Sequence, residues 1–152
     1  MTIFSIMAKL VLSNLAMQES FLEDSAMLGI ASAAPAYHLC WLLNRHFDFN
    51  FVRDADTLLS TEKKDDPNKY YYPLYKYNLP NSSQRYLLYK LKNGSESLLP
   101  EIRRMDYLWL IQTASPEKDV TRITREIRNI PDIQLAQVLV QEQLKNVKNL
   151  II

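Results

Sequence analysis

Glu101, Asp106 and Tyr107 fall in one short stretch, Leu99-Pro100-Glu101-Ile102-Arg103-Arg104-Met105-Asp106-Tyr107. Two carboxylates and a phenol at that spacing can hold and move protons, or orient a small polar ligand, if the backbone brings them to one point. The same residues also have cheaper roles. Pro100 suits the first position of a short helical turn, where its missing N–H costs nothing, and Glu101 then sits at that turn's positive end. Arg104 lies three residues beyond Glu101 and can pair with it for about 0.3 kcal/mol. Asp106 can accept backbone N–H groups where the chain re-enters a sheet. A strand–turn–strand connector is therefore the preferred reading, with a small-ligand or enzymatic site at Glu101, Asp106 and Tyr107 as the alternative.

Other chemistry is thinner. His38 and His46 are the only histidines, and eight residues of helix separate them by about 12 Å, too far to share a metal. Cys40 is the only cysteine; it falls on an apolar stripe and reads as a small core residue. No metal site and no cofactor are expected. Gly29 and Gly94 are the only glycines, which leaves no room for a phosphate-binding loop or a dinucleotide fingerprint. No Gly-x-Ser-x-Gly elbow exists.

Tyrosines are the strongest surface signal. Tyr70, Tyr71, Tyr72, Tyr75 and Tyr77 share one expected strand, with Tyr86 and Tyr89 on its neighbour. Alternation puts Tyr71, Tyr75 and Tyr77 on one face and Tyr70 and Tyr72 on the other. One set should enter the core, and the other should lie partly exposed beside Lys76 and Lys90. Cross-strand packing, protein contact and stacking of single-stranded bases are the open uses. Tyr72, Tyr75 and Tyr77 are the candidate binding tyrosines. A protein partner or a second copy of the chain is expected ahead of nucleic acid. Arg122, Arg125 and Arg128 form a stripe that reads as a solvated helix face, with Asp119 and Glu126 nearby.

These residues need a scaffold. Lys9–Leu12 and Met27–Ile30 read as strands. Cys40, Leu43 and Phe47 recur at helical spacing after Pro35, with Ser32 a cap candidate, so a helix runs from Ala36 to near His46. Phe49, Phe51 and Val52 follow as a strand. Residues 55–69 include the charged run Glu62-Lys63-Lys64-Asp65-Asp66-Pro67-Asn68 and are expected to be a flexible, solvated loop. A meander of Tyr70–Asn78 and Gln84–Lys92 comes next, and Asn93-Gly94 should fold Ser95–Leu99 back as a hairpin. Tyr107–Thr113 is apolar on both faces and should be a central, doubly covered strand. Ser115-Pro116 opens a second helix, with Val120, Ile123, Ile127 and Ile130 on one face, and Pro131-Asp132 stops it. Ile133–Val140 reads as a last strand, with helix as the alternative, and Leu144, Val147 and Ile151 should pack the tail back.

The expected fold is α+β: a mostly antiparallel sheet of about six to seven strands with two main helices packed on it, as a single domain over residues 1–152. The chain's 152 residues and 47% hydrophobic content suffice for one core. Eighteen Lys and Arg against seventeen Asp and Glu give a formal net charge of +1, which disfavours non-specific nucleic-acid binding. Residues 1–15 are apolar but lack a basic leading region, so no signal peptide is expected. No apolar run reaches eighteen residues, so no membrane span is expected. With the lone cysteine, these features predict a cytoplasmic protein.

Leu99–Tyr107 resembles the IPExxxVDY motif of a family of uncharacterised bacterial proteins, with Leu99 for isoleucine and Met105 for valine. Tyr37-His38-Leu39-Cys40-Trp41-Leu42-Leu43-Asn44 is similar to the family's helical tyrosine–leucine–tryptophan–leucine–asparagine stretch. The Ile130-Pro131 turn and the Met27–Ile30 strand fit as well. The resemblance implies a small cytosolic protein of the Bacteroidetes group and supplies no catalytic residues. The functional expectation is a non-enzymatic binding or adaptor domain acting through an aromatic-rich sheet. Single-stranded nucleic-acid binding is the second alternative.

Overall fold

The computed structural model describes residues 15–152, so the expected strand Lys9–Leu12 lies outside the described residues. Residues 15–22 are helical (α1). They are followed by β1 (Ser25–Ala31), α2 (Ala36–Phe47), β2 (Val52–Arg53), β3 (Leu59–Glu62), β4 (Lys69–Tyr72), β5 (Leu74–Asn78) and β6 (Arg85–Lys90). The short pair β7 (Lys92–Asn93) and β8 (Glu96–Ser97) precedes a 3-10 turn at Pro100–Ile102, then β9 (Tyr107–Gln112), α3 (Pro116–Ile127) and β10 (Leu135–Leu139). Two further 3-10 turns close the chain. Six strands form one antiparallel sheet in the order β10-β1-β9-β6-β5-β2, and α2 and α3 pack on it: the fold is α+β.

Burial explains the layering. β9 is buried at Tyr107, Leu108, Trp109, Leu110 and Ile111, so it presents apolar side chains to both faces. One face joins Tyr107, Trp109 and Ile111 to Leu28, Ile30 and Leu88, and the buried stripes of α2 (Leu39, Cys40, Leu43) and α3 (Val120, Ile123, Ile127) cover it. On the opposite face lie Leu108, Leu110, Met27, Leu87 and Tyr89. Smaller pieces close that face together: Leu22 of α1, Leu59 and Tyr72 of the β3–β4 hairpin, Leu98 and Leu99, and Leu144, Val147 and Leu150 of the tail. The tail thus buries Leu150 in the place expected for Ile151, which is only half-buried. Tyr89 secures this cover by donating its hydroxyl to the Leu150 carbonyl at 2.6 Å.

Several local expectations shift for identifiable reasons. Pro73 divides the tyrosine-rich run, because it has no N–H to donate to a ladder; β4 leaves the main sheet and pairs with β3 as a separate hairpin. Residues 55–69, expected as a loop throughout, therefore contain β3, which Leu59 anchors in the core at 5% exposure. The tight turn falls one residue later than expected, at Gly94-Ser95, since Asn93 still pairs with Glu96 and Gly94 takes the positive φ of 59°. Pro35, not Ser32, is the N-cap residue of α2, while the buried Ser32 hydroxyl donates to the Asp132 carbonyl at 2.7 Å. Phe49 and Phe51 turn inward to the aromatic core instead of joining β2.

Gly29 lies in close contact with the cover of β1. A Cβ at that position would meet Met105 Cγ and Sδ at 2.9 Å and Leu139 Cδ1 at 3.1 Å. Gly29→Ala should therefore destabilise the protein by about 1–3 kcal/mol through overpacking. Because the obstacle is mainly one thioether side chain, the same substitution in a Met105→Ala background should cost clearly less. A urea-unfolding double-mutant cycle measures this coupling, and strict additivity would show that Met105 is not the obstacle.

Candidate functional site

The 3-10 turn begins as its sequence directs, with Pro100 at its first position and Glu101 in its first turn. Two backbone bonds, Ile102 N–H to Leu99 and Met105 N–H to Ile102, wind the chain into β9. Leu99 and Met105 are buried beneath it, whereas Arg103 and Arg104 face solvent. The expected Glu101–Arg104 pair is absent from the ion pairs among the described residues. Asn146 of the tail takes its place, donating Nδ2–H to Glu101 Oε2 at 2.6 Å. The other carboxylate oxygen, Oε1, is buried and has no hydrogen-bond partner among the described residues.

Asp106 is fully engaged. Its Oδ2 accepts the Ser32 N–H at 2.9 Å, and its Oδ1 lies 2.9 Å from Lys92 Nζ. Its own backbone donates to Ile30 and accepts from Leu91. One residue thereby ties the end of β1 to the end of β6 and the start of β9. Tyr107, the first residue of β9, lies in the core on the helical side and donates its hydroxyl to the Ala34 carbonyl at 2.5 Å. Burial, and next the Asp106 charge, push its phenol well above the ordinary tyrosine range, so it stays a neutral donor. Glu101 reaches the tail, Asp106 the strand junction and Tyr107 the α2 side. The three do not converge on one point.

Nor do the candidate tyrosines. Tyr72 is 3% exposed, with its hydroxyl 2.9 Å from Thr61 Oγ1, in the core on the tail side of the sheet. Tyr75 and Tyr77 are half-buried against the helical side. Tyr77 joins a ring cluster with Phe49, Phe51 and Tyr86, and that cluster packs edge-on around Trp109. Tyr72, Tyr75 and Tyr77 thus divide between two faces and offer no single stacking platform. Lys76, expected beside the partly exposed tyrosines, pairs with Asp54 at 3.2 Å.

The exposed aromatic surface lies elsewhere. Tyr37 and Trp41 on α2 are 73% and 51% exposed, one turn apart on the same outer face. The His38 ring stacks on Trp41 at 5.8 Å, and the Arg45 guanidinium sits 5.2 Å above the Trp41 ring. Asp132 lies 3.6 Å from His38. Helical spacing carried the signal for this patch: Leu39, Cys40 and Leu43 define the buried stripe, which leaves Tyr37, Trp41 and Arg45 outside it. Among the described residues, no group of three or more His, Cys, Asp or Glu is placed to hold a metal ion, and no helix is long and apolar enough to cross a membrane.

Two measurements follow from these environments. Asp106→Ala should destabilise the fold by about 2–3 kcal/mol, because it leaves the Ser32 N–H without its charged acceptor. Glu101→Gln should fall within about 0.5 kcal/mol of wild type, because it removes a half-paired buried charge and keeps an acceptor for Asn146. Equal losses in urea unfolding would contradict this division. Burial also pushes the Cys40 thiol up to about 12. The unfolded thiol loses its proton near 9 and the folded one does not, so the unfolded state binds fewer protons and stability falls as pH rises above 9. Cys40→Ala should flatten that slope between about pH 9 and 10, before the buried Tyr89 and Tyr107 contribute, and the native thiol should resist a disulfide reagent at about pH 8. Compared with known proteins, the chain matches no family model and no curated protein.

Proposed function

We propose that the chain is a binding or adaptor domain that engages a protein partner through the outer face of α2, around Tyr37, Trp41 and Arg45. The exposure of two large aromatic side chains on one helix face, with a guanidinium over the indole, is the observation that carries this reading. Rings of this kind supply contact area at low entropic cost and are enriched at protein interfaces. Sheet edges are poorer candidates. β2 is two residues long, and on β10 the Arg128 guanidinium already occupies the Ala136 carbonyl through bonds of 3.2 and 2.7 Å.

The dispersal of Glu101, Asp106 and Tyr107 speaks against an enzymatic site there, and the burial of Tyr72 speaks against a base-stacking sheet. The likeness of Leu99–Tyr107 and Tyr37–Asn44 to the IPExxxVDY-motif proteins supports placing the chain in that bacterial family. On this reading Asn44 fixes the end of α2 by exchanging two hydrogen bonds with Phe51, while Tyr37 and Trp41 of the same stretch face the partner. A cytoplasmic location accords with the single cysteine.

Quantitative capture from cell extract, compared between wild type, Tyr37→Ser/Trp41→Ser and a Tyr71→Ser control, tests the surface. Light scattering shows whether the partner is a second copy. The double variant should weaken the captured complex by about 30-fold or more, as expected for loss of two aromatic anchors, while Tyr71→Ser leaves it intact. Equal capture by all three proteins would remove α2 as the interface.

A further inference from the structure

The end of the sheet away from the Leu99–Tyr107 turn carries a polar row. Asn78 of β5, Arg85 of β6, Gln112 of β9 and Ser25 of β1 are consecutive register partners across four strands. Alternation from Leu87, Leu110 and Met27 places this row on the tail side of the sheet, opposite α2. Phe21, Glu23 and Asp24, at the end of α1 and the entry to β1, line the same open cavity of about 740 Å³ as Asn78, Arg85 and Gln112.

The arginine in that row is held in place. Gln112 donates Nε2–H to the Phe21 carbonyl at 2.9 Å and accepts Arg85 Nε–H on its Oε1 at 2.6 Å. Nε is the only guanidinium nitrogen of Arg85 with an acceptor among the described residues, and no described residue engages its two terminal amino groups. Glu23 and Asp24 are exposed at the same cavity. None of the ion pairs among the described residues uses Arg85, Glu23 or Asp24. Opposite charges therefore line one cavity with no direct ion pair between them among the described residues.

We propose that this groove binds a small zwitterion, an α-amino acid or a dipeptide. Arg85 takes the carboxylate through the two-pronged donor geometry that guanidinium offers and ammonium does not. Glu23 and Asp24 take the ammonium. The same two carboxylates repel phosphates and other polyanions that a lone arginine would attract, so they select against them. Asn78 at the rim adds an amide that can meet the ligand's side chain or peptide group. The groove and the α2 face lie on opposite sides of the sheet, so either can fail without the other.

Calorimetric titration of the full chain with the common α-amino acids and a panel of dipeptides is the test, with inorganic phosphate as the polyanion probe. Single amino acids and dipeptides are separate arms, so the length of the ligand is read directly. A binding zwitterion should lose affinity about tenfold or more when its amine is acetylated or its carboxylate amidated. Arg85→Gln should weaken it by a similar factor. Because Arg85 also bonds Gln112, the exposed pair Glu23→Gln/Asp24→Asn provides an independent check: it should weaken the zwitterion and strengthen phosphate. No binding across both panels, binding unchanged by the exposed pair, or phosphate binding as tightly as any zwitterion would each overturn the proposal.

Discussion

Strand β9 must be dry on both faces and paired on both edges, and the rest of the structure is arranged to meet that demand. Tyr107, Leu108, Trp109, Leu110 and Ile111 leave no polar face that water could occupy. The backbone polar groups of β9 are satisfied by β1 on one side and β6 on the other. Two amphipathic helices cover the Trp109 face. The Leu108 face is closed instead by a patchwork of hairpin, turn, tail and the end of α1. Each piece of the patchwork brings only one to three apolar side chains, and the pieces depend on one another through hydrogen bonds. Tyr89 holds Leu150, Asn149 holds the Leu98 carbonyl and Asn146 holds Glu101.

That dependence explains what the sequence made legible. β9 announces itself, because an uninterrupted apolar run of that length has few other uses. The stripe of Val120, Ile123 and Ile127 is equally plain, and the Asn93-Gly94 signal marked the hairpin but placed its turn one residue early. Each of these signals is local. The β3–β4 hairpin was hidden because its one buried anchor on β3, Leu59, sits beside a long charged segment, and its stability comes from a neighbour rather than from its own pattern. The split at Pro73 follows from a known rule, yet only the partner strands show that Tyr70–Tyr72 leave the main sheet. Glu101 poses the same problem in the site: its partner Asn146 lies 45 residues away and was invisible to any argument from spacing.

The connector between Leu99 and Tyr107 owes its composition to the junction it makes. Asp106 sits where three strand ends meet and supplies both carboxylate oxygens to that junction, one to a backbone N–H and one to an ammonium. Pro100 and Glu101 begin a turn too short to hold itself together, and the tail supplies what it lacks. With both Asp106 oxygens, one Glu101 oxygen and the Tyr107 hydroxyl committed to the fold, the stretch marks architecture before chemistry.

Strand geometry adds a further constraint. Asp106 bends the chain into β9, and its side chain reaches Ser32 and Lys92 while that of Tyr107 reaches Ala34. Bringing both to one ligand would require breaking these contacts at the point where β9 enters the sheet. The ladder there is continuous: Tyr107 pairs with Ile30 on one side and Lys90 on the other. Breaking it would expose the end of the very strand that both layers exist to bury. Surfaces free to bind are therefore those that the burial of β9 does not need, namely the outer side of α2 and the far polar ends of the strands.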